Sequence, residues 1–525
     1  MTSTFRGLET GKSALAAANL NQDVTGQNIS NADTVGYTRQ RTVAEAKLPV
    51  GLNYVISQTY NRQVGQGVTI QDVQQTRSDY LDEQYRDENS IFADYEYRGQ
   101  GLTYLTGVMN ELDKDSSLTL CMKDFSSALS NLNTDPTSKE NRLNVQQRAN
   151  TLIQNLQYVN NEMTDLWSDQ NTSIKTVAES INSKAEQISM LNVAIANYEH
   201  SGGTANDLRD KRNNLLDEIS GLTSVTYGNN AGDASMVDVK IGGVALVDGK
   251  KANSITIDTV SGITNAVTGK KEVTLTLDGH SIARDMADPN NIQAGGELLA
   301  HMDLLESTNP SAPGIPYYIQ QLNKFAQGLA KKVNAIHVSG YTTPDTALGT
   351  SSQTGIAFFA KNGDASAVVP PEGITPAQKA AYDAYYDSIT VGNLSLSADV
   401  ATSVWNIAAS DTKVDLTADS TQAGNAKNIS KLYDLFNSGT FNTDLNTIVG
   451  HLAIASDTNN GLLDTSKSMR YSISKQRTSV CGVSMDEETT NLIKFQQSYS
   501  VAARLVTTID DMLDKLINGT GRVGL

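Results

Sequence analysis

The chain has 525 residues, enough for several domains, and carries 41 basic against 58 acidic side chains, a formal net charge of −17. This charge argues against nucleic-acid binding, because the chain offers no basic surface that would neutralise phosphates. No apolar window reaches the roughly 18 residues that a membrane helix needs. We therefore expect neither a nucleic-acid partner nor membrane insertion.

The start of the chain predicts a polar helix. Residues 3–31 are rich in Ala, Ser, Asn and Gln, with a thin apolar face at Leu8, Leu15 and Ile29. The helix should end before Gly36, a residue that can take a positive φ, and an extended segment should follow. No basic segment precedes an apolar run, so we expect no cleaved signal peptide.

Further helices are predicted through the first half of the chain. One runs over 77–113, and a second, over 117–132, stops before Asp135-Pro136 because the residue before proline avoids helical angles. The longest has apolar residues at steps of three and four from Leu152 to Ile195. A helix this long and polar is typical of a rod that neighbouring helices stabilise.

The pattern changes near residue 225. Polar and apolar residues alternate to about residue 282, and Gly242-Gly243, Asp248-Gly249 and Asp278-Gly279 supply hairpin turns. The stretch therefore predicts a β-meander that follows the helices.

The second half mixes helices with more strand material. We expect helices over 296–305, 317–338 and 378–386, and a strand within 388–396. A final helical region starts near residue 425, and Asn459-Asn460-Gly461 predicts a break in it.

The last predicted helix, residues 484–517, carries the strongest apolar periodicity. Its residues repeat at heptad spacing in two interleaved sets, which are Leu492, Tyr499, Val506 and Leu513, then Phe495, Ala502, Ile509 and Leu516. Such a seam on a helix about 50 Å long needs a facing helix. The N-terminal helix is the natural candidate. Ser484 is the expected N-cap, and Asp486, Glu487 and Glu488 suit the positive end of the helix dipole.

No motif predicts chemistry. Gly11-Lys12-Ser13 lacks the earlier glycine of a phosphate-binding loop, and the run around Asp457 lacks the closing glutamate of a calcium loop, so we interpret the latter as a turn. Cys121 and Cys481 are far apart and are expected to be free thiols. The histidines show no zinc spacing and are His200, His280, His301, His337 and His451. We predict no catalytic, cofactor-binding or metal-binding residues.

Three segments resemble the hook-associated proteins among the axial proteins of the bacterial flagellum. The N-terminal run 28–40 departs from the family only at Val35, where a proline is usual, and the internal run has Asn213 where an aspartate is more usual. The matching signature residues are Asn28, Asn31, Gly36 and Tyr37, then Asn206, Asp207, Asp210 and Arg212, then Gly482, Ser484, Asp486 and Glu487.

This resemblance and the order of elements imply a multidomain α+β fold. Residues 1–65 and 484–525 would form a terminal α-helical coiled-coil region that lines an inner tube. Residues 66–222 and 425–483 would form a long helical rod domain. Residues 223–424 would form an inserted, mainly β outer domain that includes the helices at 296–338.

The resemblance also implies a structural, non-enzymatic protein at the junction between hook and filament, needed for filament assembly. Implied partners are further copies in a ring or helical layer, the hook protein, the second junction protein, and an export chaperone at the C-terminal region. The protein would be secreted to the flagellum by the flagellar type III apparatus. The expected assembly interface comprises Leu8, Leu15, Ile29, Leu492, Phe495, Tyr499, Val506, Ile509, Leu513 and Leu516. Flagellin or hook protein are alternatives, as is an extracellular adhesin or enzyme with activity in the β domain.

Overall fold

The computed structural model describes residues 5–47, 67–109, 118–260, 264–284, 291–345, 349–364, 375–417 and 419–519. The helices in these ranges are α1 (Arg6–Ser30), α2 (Asp79–Met109), α3 (Leu118–Thr134), α4 (Lys139–His200), α5 (Asn206–Leu222), α6 (Gly296–Glu306), α7 (Ile315–His337), α8 (Pro376–Asp387), α9 (Ala398–Thr402), α10 (Lys427–Asn437), α11 (Thr440–Cys481) and α12 (Met485–Asn518). Most of the helices expected from sequence are present. The N-terminal residues 1–4 and the end of the helix predicted over 77–113 lie outside the described residues.

The strands form four small sheets. They are β1 (Gln40–Ala46), β2 (Val68–Gln75), β3 (Thr226–Asn229), β4 (Val237–Ile241), β5 (Val244–Asp248), β6 (Lys251–Ala252), β7 (Ile255–Asp258), β8 (Thr274–Leu277), β9 (His280–Ala283), β10 (Ile292–Gln293), β11 (Phe359–Lys361) and β12 (Leu394–Leu396). Strands β3 to β6 form an antiparallel meander, as predicted. Strands β7 to β9 form a second meander, to which β10 adds in parallel. Strands β1 and β2 form a two-stranded ribbon, and β11 pairs with β12.

Helix α4 is the longest described element, with 62 residues, or about 93 Å at 1.5 Å per residue. Its N-cap, Ser138, accepts a hydrogen bond from the Asn141 backbone N–H at 3.2 Å. It ends at His200, before Gly202 takes a φ of +90°. The helix therefore starts earlier than its apolar periodicity indicated, because the cap sits just after Asp135-Pro136.

Side-chain amides along α4 connect it to the sheets. Asn192 donates to the carbonyl oxygens of Val237 and Gly249, at 2.8 and 2.6 Å. Nearer the start of the helix, Asn182 donates to the Ile255 carbonyl oxygen and Gln157 donates to the Leu394 carbonyl oxygen. These bonds satisfy backbone groups at the sheet edges. The sheets thus pack against the rod helix and share its hydrophobic core.

The core also contains the other long helices. Trp167 of α4 is fully buried and donates its indole N–H to the Leu305 carbonyl oxygen at 2.9 Å. Toward the start of α4 an aromatic cluster fills the space between helices, with the rings of Phe125 and Phe436 at 4.9 Å and those of Phe436 and Phe441 at 4.8 Å. Helix α11 packs along α2. The chain therefore contains a helical rod with β elements along it.

Two predictions for the second half are wrong. Helix α11 is continuous through Asn459-Asn460-Gly461, which form neither a break nor a turn. The reason is tertiary, since the Asn459 amide donates to the Tyr95 carbonyl oxygen of α2 at 2.8 Å. The break lies earlier, where Gly439 has a φ of +76°.

The strand expected within 388–396 is also shorter than predicted. Only Leu394–Leu396 pairs, with Phe359–Lys361. The preceding Val391–Asn393 form a 3-10 turn, in which Asn393 Oδ1 accepts a hydrogen bond from the Thr390 backbone N–H at 2.7 Å. This local side-chain bond competes with extended pairing.

Both cysteines are buried, and no disulfide links them. Cys121 lies on α3 and accepts a hydrogen bond from Asn155, while Cys481 ends α11. In the described part of the chain, no helix is both long and apolar enough to cross a lipid bilayer.

Candidate assembly interface

Helices α1 and α12 form an antiparallel pair, as the heptad pattern predicted. Near the chain ends, Gly7 lies against Ile509 and Gly11 against Val506. Farther along, Gln22 Nε2 donates to the Phe495 carbonyl oxygen at 3.1 Å. The first and last helices of the chain therefore run side by side along most of their length. We call this element the terminal pair.

Two glycines bring the helices of the terminal pair close together. A Cβ atom added at Gly11 would lie 2.8 Å from Val506 Cγ2, and one at Gly7 would lie 3.0 Å from Ile509 Cδ1. Real Cβ atoms essentially never lie closer than 3.0 Å to another heavy atom, so the distance at Gly11 is too short. The absence of a side chain at Gly11 is therefore required for the observed spacing.

The predicted seam residues divide into two groups. Most are half-buried between the helices, namely Leu8, Leu15, Ile29, Leu492, Phe495, Val506, Ile509 and Leu513, and Ala502 is buried. Tyr499 and Leu516 are exposed, at 42% and 54%. One helix of the pair thus covers the seam only in part.

An apolar stripe that the sequence analysis did not single out runs along α12 beside the seam. Val501, Leu505 and Met512 are exposed, at 65%, 43% and 60%. Spacings of four and seven residues place them on one helix face. We call these three residues the α12 stripe. Heptad analysis missed it because its positions flank the stronger seam.

A buried polar cluster joins the terminal pair at its inner end. The Asn28 amide nitrogen donates to the Gln40 carbonyl oxygen at 2.9 Å and to Glu488 Oε2 at 3.0 Å. Its amide oxygen accepts from the Gln40 backbone N–H and from the Tyr37 hydroxyl, at 3.0 and 2.9 Å. Asn28 is almost fully buried, and both ends of its amide are satisfied.

Arg39 completes this cluster. Its Nη2 lies 2.6 Å from Glu488 Oε1 and its Nη1 lies 2.8 Å from Glu487 Oε2. The Arg39 backbone N–H donates to the Cys481 carbonyl oxygen at the end of α11. The sequence analysis assigned both glutamates to helix capping, whereas Glu488 is buried and links the two ends of the chain.

A second cluster connects the segment after α1 to α5. Asp210 accepts from the Thr38 backbone N–H at 3.1 Å, from the Thr38 hydroxyl at 2.6 Å and from Gln75 at 2.8 Å. Burial raises the pKa of Asp210, although these bonds oppose the shift. Burial also raises the pKa of Tyr37, with further contributions from Asp207 and Asp210.

An ion-pair chain extends from Asp210 into the rod. Arg77 contacts Asp210 at 3.7 Å and also pairs with Asp82. Arg477 of α11 bridges Asp82 and Asp217, at 2.6 and 2.7 Å. Because these residues come from three helices and the segment before α2, the chain fixes the base of the terminal pair to the rod. Sequence analysis could not predict these ion pairs, since no local pattern relates such distant positions.

The remaining signature residues shape the backbone around these clusters. Gly36 has a φ of +79°, and a Cβ there would lie 2.0 Å from Asn214 Oδ1. Asn31 caps the end of α1, and Ser484 Oγ accepts from the Glu487 backbone N–H at the start of α12, as predicted. The other signature residues lie apart from the α1–α12 contact. Asn206 donates a hydrogen bond to the Val73 carbonyl oxygen, and Asp207 accepts one from Gln40. Gly482 follows α11, Asp486 is exposed and Arg212 of α5 is buried.

Comparisons with known proteins give one consistent set of relatives. Flagellar hook-associated protein 1 of Bacillus subtilis is 28% identical over 99% of both chains, and its Escherichia coli counterpart is 24% identical over 96% of this chain and 98% of the relative. The model for the flagellar hook-associated protein FlgK helical domain matches residues 102–359. The chain is similar to flagellar hook-associated protein 1 throughout its length.

Two further family models match the regions of the terminal pair. The flagella basal body rod protein model matches residues 8–38, and the flagellar basal body rod FlgEFG protein C-terminal model matches residues 477–519. The solved structure of the flagellar hook junction protein FlgK from Burkholderia pseudomallei aligns with a TM-score of 0.42 at 18% identity, covering 54% of this chain and 47% of that chain.

Proposed function

We propose that this protein is a structural component of the bacterial flagellum, placed at the junction between hook and filament and needed for filament assembly. Similarity to the hook-associated proteins supports this role, since the match to hook-associated protein 1 of Bacillus subtilis runs along 99% of both chains. The alternatives of flagellin or hook protein gain no support, because the helical-domain match is to the hook-associated family.

The observation that carries the proposal is the incomplete coverage of the terminal pair. The α12 stripe is exposed although the adjacent seam is covered by α1. An isolated helical pair gains most of its stability from packing. In a ring or helical layer, neighbouring copies would cover these apolar faces, and the terminal pairs would line an inner tube.

The partners follow from this arrangement. The protein would contact the hook protein on one side of the layer and the second junction protein on the other. An export chaperone would cover the C-terminal region, where α12 carries the exposed apolar residues, until secretion by the flagellar type III apparatus. No cleaved signal peptide is needed for that route.

The domain assignment is part of the proposal. Residues 1–65 with 484–525 form the terminal domain, residues 66–222 with 425–483 form the rod, and residues 223–424 form the outer domain. The rod contacts of Arg477 with Asp82 and Asp217 support the second grouping, because they join α11 to α2 and α5.

We propose no catalytic role, because the family is structural. Among the described residues, no group of three or more His, Cys, Asp or Glu side chains is arranged to hold a metal ion. The adhesin or enzyme hypothesis would need a cleft with converging carboxylates or a metal within residues 225–410.

Electron microscopy of a deletion strain tests the function. We expect hooks without filaments and flagellin lost to the medium, both restored by the full-length gene. A gene that lacks residues 484–525 should not restore filaments, although its product should keep the folded rod. Filaments on the deletion strain would refute the role, and absent hooks would point to hook protein instead.

A further inference from the structure

A polar cleft of about 620 Å³ lies between the start of α2, the β2 strand, α5 and the β3–β4 hairpin. Four arginines line it, namely Arg77, Arg86, Arg209 and Arg212. Assembly through the terminal pair does not use this cleft. What the cleft can bind depends on whether each guanidinium already has a carboxylate partner and hydrogen-bond acceptors.

Three of the arginines have carboxylate partners. Arg86 pairs with Asp217 at 2.7 Å, and Arg209 pairs with Glu199 at 2.7 Å. Arg77 pairs with Asp82, but its Nη2 is buried without a hydrogen-bond acceptor in the described part of the chain. These pairs neutralise most of the positive charge on the walls.

Arg212 differs from the other three. Its side chain is buried, with the residue 5% exposed, and it has no carboxylate at ion-pair distance among the described residues. Its Nη1 donates to Asn192 Oδ1 and to the Ser235 carbonyl oxygen, both at 2.8 Å, whereas its buried Nε has no acceptor within the described ranges. Burial lowers the pKa of Arg212 to about 10, and the nearby Arg209 also lowers it. Glu199, the ion-pair partner of Arg209, acts in the opposite direction and raises the pKa of Arg212. A buried cation that only shares a carboxylate with a neighbouring arginine is costly unless a further anion reaches it.

Carboxylates also line the cleft, but they do not neutralise Arg212. Asp82 is shared by Arg77 and Arg477. Asp72 accepts hydrogen bonds from the Val73 backbone N–H and the Thr204 hydroxyl. Asp79 and Glu83 are exposed. The N-terminus of α5, at Asn206, also lines the cleft, and there the Glu199 carboxylate accepts a hydrogen bond from the Ala205 backbone N–H at 3.4 Å.

We propose that this cleft binds a small oxyanion of the phosphate type on the Nε edge of Arg212, with Arg77 Nη2, the other buried guanidinium nitrogen of the cleft without an acceptor among the described residues, as a second donor. A guanidinium edge presents parallel N–H groups that match two oxygens of a phosphate or carboxylate. The bound anion would connect α5 to the segment before α2 and would neutralise the buried guanidinium. It would stabilise the rod next to the base of the terminal pair.

Equilibrium dialysis of the full-length protein against radiolabelled inorganic phosphate tests the site, at constant ionic strength with chloride as the balancing anion. We expect one phosphate per chain, bound saturably. Arg212→Lys keeps the charge but loses the planar fork, so phosphate binding should weaken about tenfold or more. Arg148→Lys, at an exposed arginine on α4 paired with Asp124, should bind as the wild type does.

A second variant tests the site without disturbing Arg212. Asn213 lines the cleft with its Oδ1 3.3 Å from Arg86 Nη2. Asn213→Asp has the same shape and adds a negative charge, so it should also weaken phosphate binding. A parallel dialysis with radiolabelled acetate distinguishes a general carboxylate site from a phosphate site. The proposal fails if the wild type binds no phosphate saturably, or if Arg212→Lys and Asn213→Asp both leave phosphate binding unchanged.

Discussion

Arg39 Nη2 and Glu488 Oε1 lie 2.6 Å apart, although 449 residues separate them along the chain. Glu488 also accepts from Asn28, so one buried carboxylate contacts both the end of α1 and the start of the strand that follows it. This contact determines where the terminal pair leaves the rod. Its removal should free the first helix from the last.

Glu488→Ala should weaken the terminal pair. Loss of one partner from a buried ion pair costs about 3–5 kcal/mol, and the 26% exposure of the Arg39 side chain places the effect near the low end of that range. Amide hydrogen exchange in Arg6–Ser30 should accelerate by about a hundredfold. Glu487→Ala is the control, because the Glu487 side chain is 62% exposed and its loss should cost less than about 1 kcal/mol. Equal effects of the two changes would contradict this account.

Gly11→Leu should separate the helices of the terminal pair. A side chain there overlaps Val506, and overpacking of this kind costs about 1–3 kcal/mol. Circular dichroism should show lost helix content, and assembly should fail. Gly26→Ala is the matched control on α1, since an added Cβ meets no atom within 4 Å. The Gly26→Ala variant should be more stable by up to about 1 kcal/mol. If both variants show the same helix content and the same assembly, close approach of the helices at Gly11 is refuted.

Charges on the α12 stripe should block assembly without unfolding the monomer. Val501→Glu with Leu505→Glu changes two exposed apolar residues, and such surface changes alter stability by about 0.5 kcal/mol each. Electron microscopy of the complemented deletion strain should show bare hooks. Ser500→Glu adds a charge to another exposed face of α12 and should leave filaments intact. Filaments on the double variant would show that the stripe is not an assembly surface.

The terminal pair should be less protected than the rod in dilute monomer. Its seam is only half-buried, whereas the apolar face of α4 is fully buried, and a chain's ends lose more entropy on ordering when little packing compensates. Hydrogen exchange should be faster in Arg6–Ser30 and Met485–Asn518 than in Lys139–His200. Equal protection in all three helices would mean that the pair is stable without other copies.

His337 should make the stability of the outer domain depend on pH. Burial lowers its pKa to about 4 from the ordinary 6.5, and the neutral ring donates from Nδ1 to the Ile356 carbonyl while Nε2 accepts from the Ala408 backbone N–H. Because the unfolded chain takes up the proton first, stability present above pH 6.5 is lost as pH falls toward 4. The loss amounts to about 3 kcal/mol.

Urea unfolding of the wild type and of His337→Gln, followed by tryptophan fluorescence, measures this dependence. The variant should be the less stable protein at pH 7, because glutamine does not reproduce both hydrogen bonds. The difference between the two free energies of unfolding should narrow between pH 6.5 and pH 4. A difference that stays constant with pH would exclude His337 as the titrating group.

Sequence patterns predicted the elements whose signals are local. The heptad seam of α12, its Ser484 cap and the β3–β6 meander all depend on neighbouring residues, and the structure contains each of them. The break expected at Asn459-Asn460-Gly461 failed because the same residues that favour a turn in isolation have a tertiary partner. Asn459 bonds α2 instead of its own backbone.

In the candidate assembly interface, too, residues with a local motif could be predicted, whereas their long-range partners could not. The signature residue Asn28 could be chosen from its motif, but its link to Glu488 could not be derived from spacing. Arg477, Asp82 and Asp217 carry no motif that relates them, and their ion pairs form only when α2, α5 and α11 pack together. Contacts between distant segments require the fold.

The antiparallel direction of the terminal pair has a mechanical consequence. Gly7 lies beside Ile509 at the outer end of the pair, and the buried Asn28–Glu488 contact lies at the inner end. Opposite forces on the start of α1 and the end of α12, which lie together at the outer end, therefore peel α1 from α12 one turn at a time, instead of shearing every contact at once. The force needed at any moment is that of a single turn, and the rod is loaded only after the pair has opened.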